Sequence, residues 1–416
     1  AIALNAVRNG LRAAVLGYSI RSGLLFLLRL LRVLRGKMHL QTALLESLFG
    51  QASLRMAGFF GAFAFVWKGT NISPPSSSSH SPRSSSLIQR RKDDQVNGFL
   101  SGALAGALAC LVETKQWRTD MSQQLLVRGL QAVFNSLSLN GHFSFRHGNS
   151  LIFAFATAQV MYAYTMRPTT IPDSYNKFIV TTGPIPADII LLVRQQLSGI
   201  PLDPDSVMKA VVKHKGSQQC MDVAAALPAF PDIVPCEVLH PAIEGCSIQA
   251  VWTLSKVLKT ILPVYFSLNF VPMVVLKTRE LLRNPQALLW RGVKNSFRSS
   301  MFLAVYVASF MRIACILRDL QRYKILPRDN RYLYWLNGFL SSWSIFIEDE
   351  KRRSELAMYV LPRGMDALYK TLYSKSLIFK IQHFDVAMFA AGMGLIIMYF
   401  QTEPIALGGI IYRLLR

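Results

Sequence analysis

The pentapeptide NGFLS occurs twice in this chain, at residues 97–101 and 337–341, and each copy lies inside a longer matching stretch. After each copy the apolar segment ends at a glutamate, and an arginine, an acidic residue and an Arg-Gly pair follow at equal distances. Further matches before and after this region keep the offset between the copies within 235 to 247 residues. Because chance would not produce an ordered series at nearly one offset, the sequence predicts a tandem duplication, and the fold must accommodate two similar halves.

The apolar segments of the two halves indicate a membrane protein. Hydrophobic residues make up 51% of the 416 residues and mean hydropathy is +0.29, well above a typical soluble protein. Apolar segments lie near residues 10–31, 54–67, 97–112, 121–139 and 149–166, and again near 258–276, 300–318, 332–347, 354–373 and 385–400. Several have only about 14 to 18 residues, close to the minimum that crosses ~30 Å of hydrocarbon as a helix. We therefore predict an all-α, polytopic membrane protein of two tandem repeats with four to five helices each, and eight to ten spans in all.

The chain divides into three parts by sequence. Residues 1–180 form the first helical repeat, 181–246 form a polar connector with a cysteine motif, and 247–416 form the second repeat. Within the first repeat, the Ser/Pro-rich residues 71–89 are predicted to be a disordered insert in an aqueous loop. The many prolines of the connector predict about two short helices there rather than a span.

The net charge of +23 comes from Lys and Arg residues at the ends of apolar segments or spaced along amphipathic ones. This placement is typical of contacts with anionic lipids, so we expect the lipid bilayer as a partner and no nucleic acid. The first 40 residues hold seven basic residues and no acidic one, a pattern similar to a mitochondrial presequence. Since this stretch is more hydrophobic than most presequences, a membrane helix with basic flanks is the better interpretation.

Glycines at every fourth position form one face of the third apolar segment: Gly98, Gly102 and Gly106. Without side chains on this face, a neighbouring helix backbone can approach closely. The face is interpreted as ordinary small-residue packing or, alternatively, as the lining of a conduit or lateral gate.

Charged residues in an apolar context recur in both halves, as Glu113 with Arg128 and as Glu348 with Arg363. Charge inside a membrane is costly and is usually paired. We therefore expect one structural Glu–Arg pair across neighbouring helices in each half. A substrate or proton path, and charges solvated in loops, are the alternatives.

A C-x3-H-x5-C cluster lies at the end of the connector, formed by Cys236, His240 and Cys246. Two thiolates and one imidazole would supply three zinc ligands. Candidates for the fourth ligand are Cys220, His214 and Glu237. The alternatives are a disulfide between Cys236 and Cys246 and reduced cysteines with a packing role. Because Pro241 follows the histidine, a turn rather than a continuous helix is expected through the cluster.

No catalytic motif accompanies these residues. The sequence contains no G-x-S-x-G, no H-E-x-x-H and no Walker A motif, and no G-x-G-x-x-G follows a strand. We therefore expect no enzymatic activity and no cofactor, with zinc at the cysteine cluster as the one alternative.

Five residues around the start of the third apolar segment are spaced as R-x3-D-x6-S-G-x3-G: Arg90, Asp94, Ser101, Gly102 and Gly106. This spacing resembles the signature of the mitochondrial inner-membrane translocase channel superfamily, the preprotein and amino-acid transporters. Ser79 stands where that signature has an aromatic residue, and the second half has SSWS where the first has SGAL. The resemblance covers the first repeat and implies a channel or transporter for a solute, lipid or preprotein.

A closer resemblance is carried by four stretches: PCEVLHPAIEGC, IEDEKRRSELAMYVLPRGMDALY, AFVWKGTN and MRPTTIP. They are similar to motifs of the transmembrane protein 135 family, multi-span proteins of mitochondrial and peroxisomal membranes. The cysteine motif opens the second repeat here, whereas it opens the first in the animal proteins of that family, so the halves are in exchanged order. The resemblance implies a non-enzymatic role in organelle membrane dynamics and lipid homeostasis, in mitochondria first and peroxisomes second. Other membrane proteins or a second copy of the chain are the partners expected beside lipid.

Overall fold

The computed structural model of this protein describes residues 2–34, 38–71, 84–142, 145–326, 330–379 and 381–407. Within these ranges every regular element is a helix and no strand occurs, so the predicted all-α class is confirmed. The helices form two compact units, Ala1–Arg146 with Lys380–Arg416, and His147–Phe379.

The first unit is a bundle built around four neighbouring helices. Its helices are α1 (Ile2–Leu34), α2 (Leu40–Leu48), α3 (Gln51–Thr70), α4 (Ser84–Cys110), α5 (Lys115–Leu139) and α17 (Phe384–Thr402). Helix α3 packs along α1 and α4, and α17 packs along α4 and α5. The Phe59 and Phe389 rings meet edge to face in the core between α3 and α17, with centroids 5.8 Å apart.

The second unit contains the chain between α5 and α17. Its helices are α6 (Gly148–Met166), α7 (Asp173–Thr182), α8 (Ala187–Leu197), α9 (Pro204–Lys213), α10 (Gln218–Ala225), α11 (Cys236–Leu239), α12 (Cys246–Leu276), α13 (Thr278–Arg283), α14 (Pro285–Arg322), α15 (Arg331–Ser341) and α16 (Glu350–Ser374). Helix α12 packs along α14, and α6 packs against α15 and α16. A 3-10 helix, Ser342–Ile347, continues α15, at the position where the first half carries its glycine face.

The last helix of each predicted repeat packs with the other half of the sequence. Helix α6, at the end of the first repeat, belongs to the second unit, whereas α17, at the end of the second repeat, belongs to the first. In each unit this helix contacts the two helices that carry NGFLS and the Arg-Gly pair, α4 and α5 or α15 and α16. The compact units therefore have different limits from the predicted repeats, and the duplication itself stays a prediction from sequence.

Three helices in the described part of the chain are both long enough and apolar enough to cross a membrane: Cys246–Val274, Pro285–Arg322 and Phe384–Thr402. A fourth candidate is the pair α7 and α8, which bend by 108° at their junction. The predicted eight to ten spans are thus not reached on length and hydropathy. Helix α1 carries four arginines along its length, and α5 carries charges at both its start and its centre.

The connector differs from the prediction of two short helices. Residues 181–246 contain α8 to α11, and their apolar faces form a core with α14 and α15 around Ile189, Val207, Val211 and Met311. The sequence encodes the helix starts directly, because Asp203 and Ser217 cap α9 and α10 by accepting backbone N–H bonds. The connector is therefore a folded layer of the second unit.

The predicted Ser/Pro-rich insert falls mostly outside the described residues, which omit 72–83. Helix α4 begins at Ser84, so the last six residues of the predicted insert, 84–89, have helical backbone.

Candidate metal centre and apolar cavity

The three glycines of the third apolar segment all lie against α17. A Cβ placed at Gly98, Gly102 or Gly106 would lie 2.7–2.8 Å from the nearest atom of α17, closer than real Cβ contacts. The nearest atoms belong to Gln401, Ile397 and Met393, respectively. This face is used for close helix packing within the first unit.

The polar half of the translocase-like spacing lies outside this packing. Arg90 is in the first turns of α4, and its side chain lies outside the described residues. Asp94 follows one turn later with an exposed side chain.

The Glu–Arg pairs predicted in the two halves are replaced by other contacts. Buried Glu348 accepts a hydrogen bond from Ser299, and its Oε1 lies 3.9 Å from Nε of Arg352, whereas Arg363 lines a cavity described below. Glu348 immediately precedes α16, and Arg363 lies 13 residues into that helix, about 20 Å along its axis.

The first half has the same arrangement. Glu113 lies in the turn before α5, and Arg128 lies 13 residues into α5, where it donates to Gln131 at 3.0 Å. The prediction overlooked that the glutamate marks the start of the helix that carries the arginine.

The cysteine motif forms a four-residue cluster inside the second unit. The ligand atoms of Cys236, His240, Cys246 and Cys315 all lie within 4.8 Å of one another. Cys236, His240 and Cys315 are buried, with exposed fractions of 8%, 6% and 1%. The fourth member, Cys315 on α14, was absent from the candidates chosen by sequence. All five cysteines of the chain are free thiols, so the alternative disulfide between Cys236 and Cys246 is not formed.

The local sequence explains the shape of the cluster. Helix α11 ends after one turn at Leu239, as Pro241 predicts, since a residue before proline avoids helical backbone angles. Gly245 has a φ of 87°, which favours glycine, and this turn starts α12 at Cys246. The motif therefore brings two sulfurs and an imidazole to one side, facing α14.

The imidazole of His240 is oriented by the backbone. Its Nδ1 lies 2.9 Å from the carbonyl oxygen of Ile243, and its Nε2 is buried without a hydrogen-bond partner in the described structure. When Nδ1–H donates to the carbonyl, Nε2 presents its lone pair, which is the usual arrangement of a histidine metal ligand.

The candidates for the fourth ligand have other partners. The His214 Nε2 lies 2.9 Å from Asp188, and the Cys220 thiol donates to the Glu237 carbonyl at 3.1 Å. Burial raises the pKa of Cys220 to about 11, so this thiol stays protonated at neutral pH.

The charge state of the cluster without metal follows from its surroundings. A hydrogen bond with Cys315, together with burial, raises the pKa of the Cys236 thiol well above its usual range. Burial lowers the pKa of His240, but the neighbouring Cys236 sulfur and the Ile243 carbonyl outweigh that effect and raise it. A metal ion would therefore have to displace protons on binding.

Arg318 fastens the connector to α14 next to the cluster. This buried guanidinium donates from Nε to the Val234 carbonyl at 3.1 Å and from Nη2 to the Tyr334 hydroxyl at 3.0 Å. Because it lies one turn after Cys315, it holds the segment leading into Cys236 against the same stretch of helix.

A cavity of about 560 Å³ lies within the second unit. Its walls are mainly aliphatic and aromatic side chains of α6, α12, α14 and α16, for example Met161, Val264 and Phe302. Arg363 supplies a guanidinium to the wall, and Tyr175 and Tyr359 supply phenol groups. The volume is within the range of about 300–1,000 Å³ that is usual for small-ligand sites.

The junction of the bent helix pair forms part of the cavity wall. Residues 182–185 at the 108° bend between α7 and α8 line the cavity. Irregular backbone at membrane depth occurs where it lines a cavity or is covered by protein. The bend is thus positioned where a broken helix could contact a ligand.

Sequence reasoning also missed a contact that joins α5 to α17. Arg118 Nε lies 3.1 Å from Asp385 Oδ2, and both side chains are largely buried. The repeat drew attention to Arg118, but its partner is 267 residues away and cannot be identified from local spacing.

Comparison with protein-family models, with curated proteins and with solved structures found no match to this chain. The fold defines an all-α protein with three helices that are long and apolar enough to cross a membrane.

Proposed function

We propose that this protein is a non-enzymatic membrane protein that binds a lipid-like amphiphile in the cavity of the second unit. The observation that supports this most is an apolar cavity of about 560 Å³ with one guanidinium in its wall. An acyl chain would bury apolar surface against the aliphatic and aromatic residues, and a carboxylate or phosphate would pair with Arg363.

The cellular role that we propose is in membrane dynamics and lipid homeostasis of mitochondria or, as the second choice, peroxisomes. The motifs similar to the transmembrane protein 135 family support this role, and the basic flanks of the apolar helices suit anionic lipid. Other membrane proteins or a second copy of the chain are proposed as further partners.

A transporter or translocase channel is the second candidate. The bent pair α7 and α8 favours it, because broken helices at a cavity are common in transporters built from repeats. The equivalent packing of α6 and α17 in the two units is in accord with such repeats. In proteoliposomes, a transporter would move a labelled amphiphile into the lumen, whereas a binding protein would retain it without uptake.

Binding can be tested with a fluorescent fatty acid and purified protein in detergent. Val307 lies on α14 and lines the cavity, so we expect Val307→Trp to fill the space and abolish saturable binding. Val251 on α12 is 65% exposed and lies outside the cavity lining, so Val251→Trp is the matched control and should bind normally. Equal binding by both variants would contradict the proposal.

The role of the guanidinium needs a second comparison. Arg363→Gln should weaken binding of the fatty acid by about tenfold or more and leave binding of its methyl ester unchanged, because only the carboxylate carries charge. A similar loss for both ligands would show that Arg363 supports the fold rather than the head group.

A further inference from the structure

We propose that Cys236, His240, Cys246 and Cys315 bind one zinc ion as a structural Cys3His centre. The site is independent of the proposed lipid cavity and would stand if that proposal failed. It would join the connector and the start of α12 to α14, three segments that are far apart in the sequence.

The donor set is that of a closed structural zinc site. Three thiolates and one imidazole fill four tetrahedral positions and leave none open for water or substrate. A Zn–S bond of about 2.3 Å places sulfurs about 3.8 Å apart in a tetrahedron. The four ligand atoms lie within 4.8 Å of one another, so side-chain adjustments of about an ångström would close them around the ion.

His240 provides the observation that distinguishes a metal site from packed thiols. Its side chain is 94% buried, Nδ1 faces the Ile243 carbonyl, and Nε2 has no hydrogen-bond partner in the described structure. An orphaned buried nitrogen is unfavourable by about 1–3 kcal/mol unless something occupies its lone pair. Zinc would satisfy this atom and would suit the neighbouring sulfur donors, which favour soft or borderline metals.

The position of the centre suits a structural role. Cys246 is the first residue of α12, and Cys315 lies seven residues before the end of α14, so the cluster lies at one end of the hairpin formed by the two helices. Zinc binding would release up to three thiol protons to the solvent while the ion keeps its oxidation state. The established reason for such centres is that their binding free energy contributes to folding.

The test is the metal content of the full-length protein, purified in detergent under reducing conditions without chelator. We expect about one zinc per chain, with no comparable iron or copper, and less than about a tenth of that in Cys315→Ser and His240→Ala. Cys220→Ser is the matched control, since this buried cysteine bonds to a backbone carbonyl elsewhere in the same unit, and it should retain the zinc.

A second measurement does not depend on whether the variants fold. Removing the metal from the wild-type protein with a chelator should lower its Tm, and stoichiometric zinc should restore it. Cobalt substitution should give thiolate-to-cobalt charge-transfer absorption and the strong d–d bands of a tetrahedral site. Metal-free wild-type protein that takes up no zinc, a disulfide between any of the three cysteines, or equal zinc loss in Cys220→Ser would overturn the proposal.

Discussion

Gly102 shows how strongly one missing side chain constrains the first unit. A Cβ at this position would lie 2.7 Å from Ile397 Cβ and 2.9 Å from the Met393 carbonyl oxygen. Since neither the branched side chain nor the helix backbone of α17 can move freely, α4 and α17 can approach closely only with glycine here.

We predict that Gly102→Ala destabilises the protein by about 1–3 kcal/mol through overpacking. Gly23 in the interior of α1 has nothing within 4 Å of its Cβ position, so Gly23→Ala should be neutral or slightly stabilising because alanine favours helix. Unfolding of the two variants in detergent, followed by intrinsic fluorescence, gives the comparison. If Gly102→Ala were as stable as Gly23→Ala, the close packing of α4 on α17 would be wrong.

The Arg118–Asp385 pair is the polar counterpart of this packing. Each charge is largely removed from water, so a variant that removes one partner leaves the other without compensation. We expect Arg118→Met and Asp385→Asn each to lower the free energy of unfolding by about 1–3 kcal/mol.

The double variant should be less destabilised than the sum of the two single variants, because no charge is then left unpaired. Additive losses in this double-mutant cycle would mean that the two side chains do not interact.

At the scale of elements, α17 completes a unit whose other helices all precede residue 147. Its buried residues Phe389, Ile396 and Ile397 form part of the first unit's core. Helix α6 has the corresponding place in the second unit, where it contacts α15 and α16. Each unit therefore depends on a helix from the opposite end of the chain.

Removing residues 380–416 should therefore damage the first unit selectively. We expect limited proteolysis within α4 and α5 to become at least about tenfold faster, because a loss of ~1.4 kcal/mol of local stability raises the open population tenfold. Helices α12 to α16 belong to the second unit and should keep their protection, which makes them the internal reference. Equal acceleration throughout the chain would contradict this division.

At the scale of the whole molecule, the charges beside α12 and α14 predict their orientation. Residues 275–294, around α13, carry five basic residues and one acidic residue, whereas residues 181–245 carry four basic and seven acidic residues. The two stretches adjoin opposite ends of α12. By the positive-inside rule, α13 stays on the side where the chain is inserted and the connector lies on the other side.

Single cysteines can test this orientation in sealed membranes. Leu282 on α13 is 78% exposed and Phe230 in the connector is 68% exposed, so Leu282→Cys and Phe230→Cys should react with an impermeant maleimide from opposite sides. Protein without an added cysteine measures the background, which should be low because four of its five cysteines are buried. Labelling of both positions from one side would rule out α12 as a complete span.

The sequence by itself determined the features that depend on neighbours along the chain. Apolar segments predicted helices, Pro241 predicted the end of α11, and the glycine spacing predicted a face suited to close approach. These follow from short-range rules, since backbone angles, caps and helix periodicity are set within a few residues.

Only the tertiary structure decided which distant residues meet. It brought Cys315 to a motif that ends 69 residues earlier, placed Asp385 beside Arg118, exchanged α6 and α17 between the units, and put Arg363 at a cavity instead of beside Glu348. The physical reason is that such contacts depend on how whole helices pack, and residue spacing beyond one or two helical turns does not specify it.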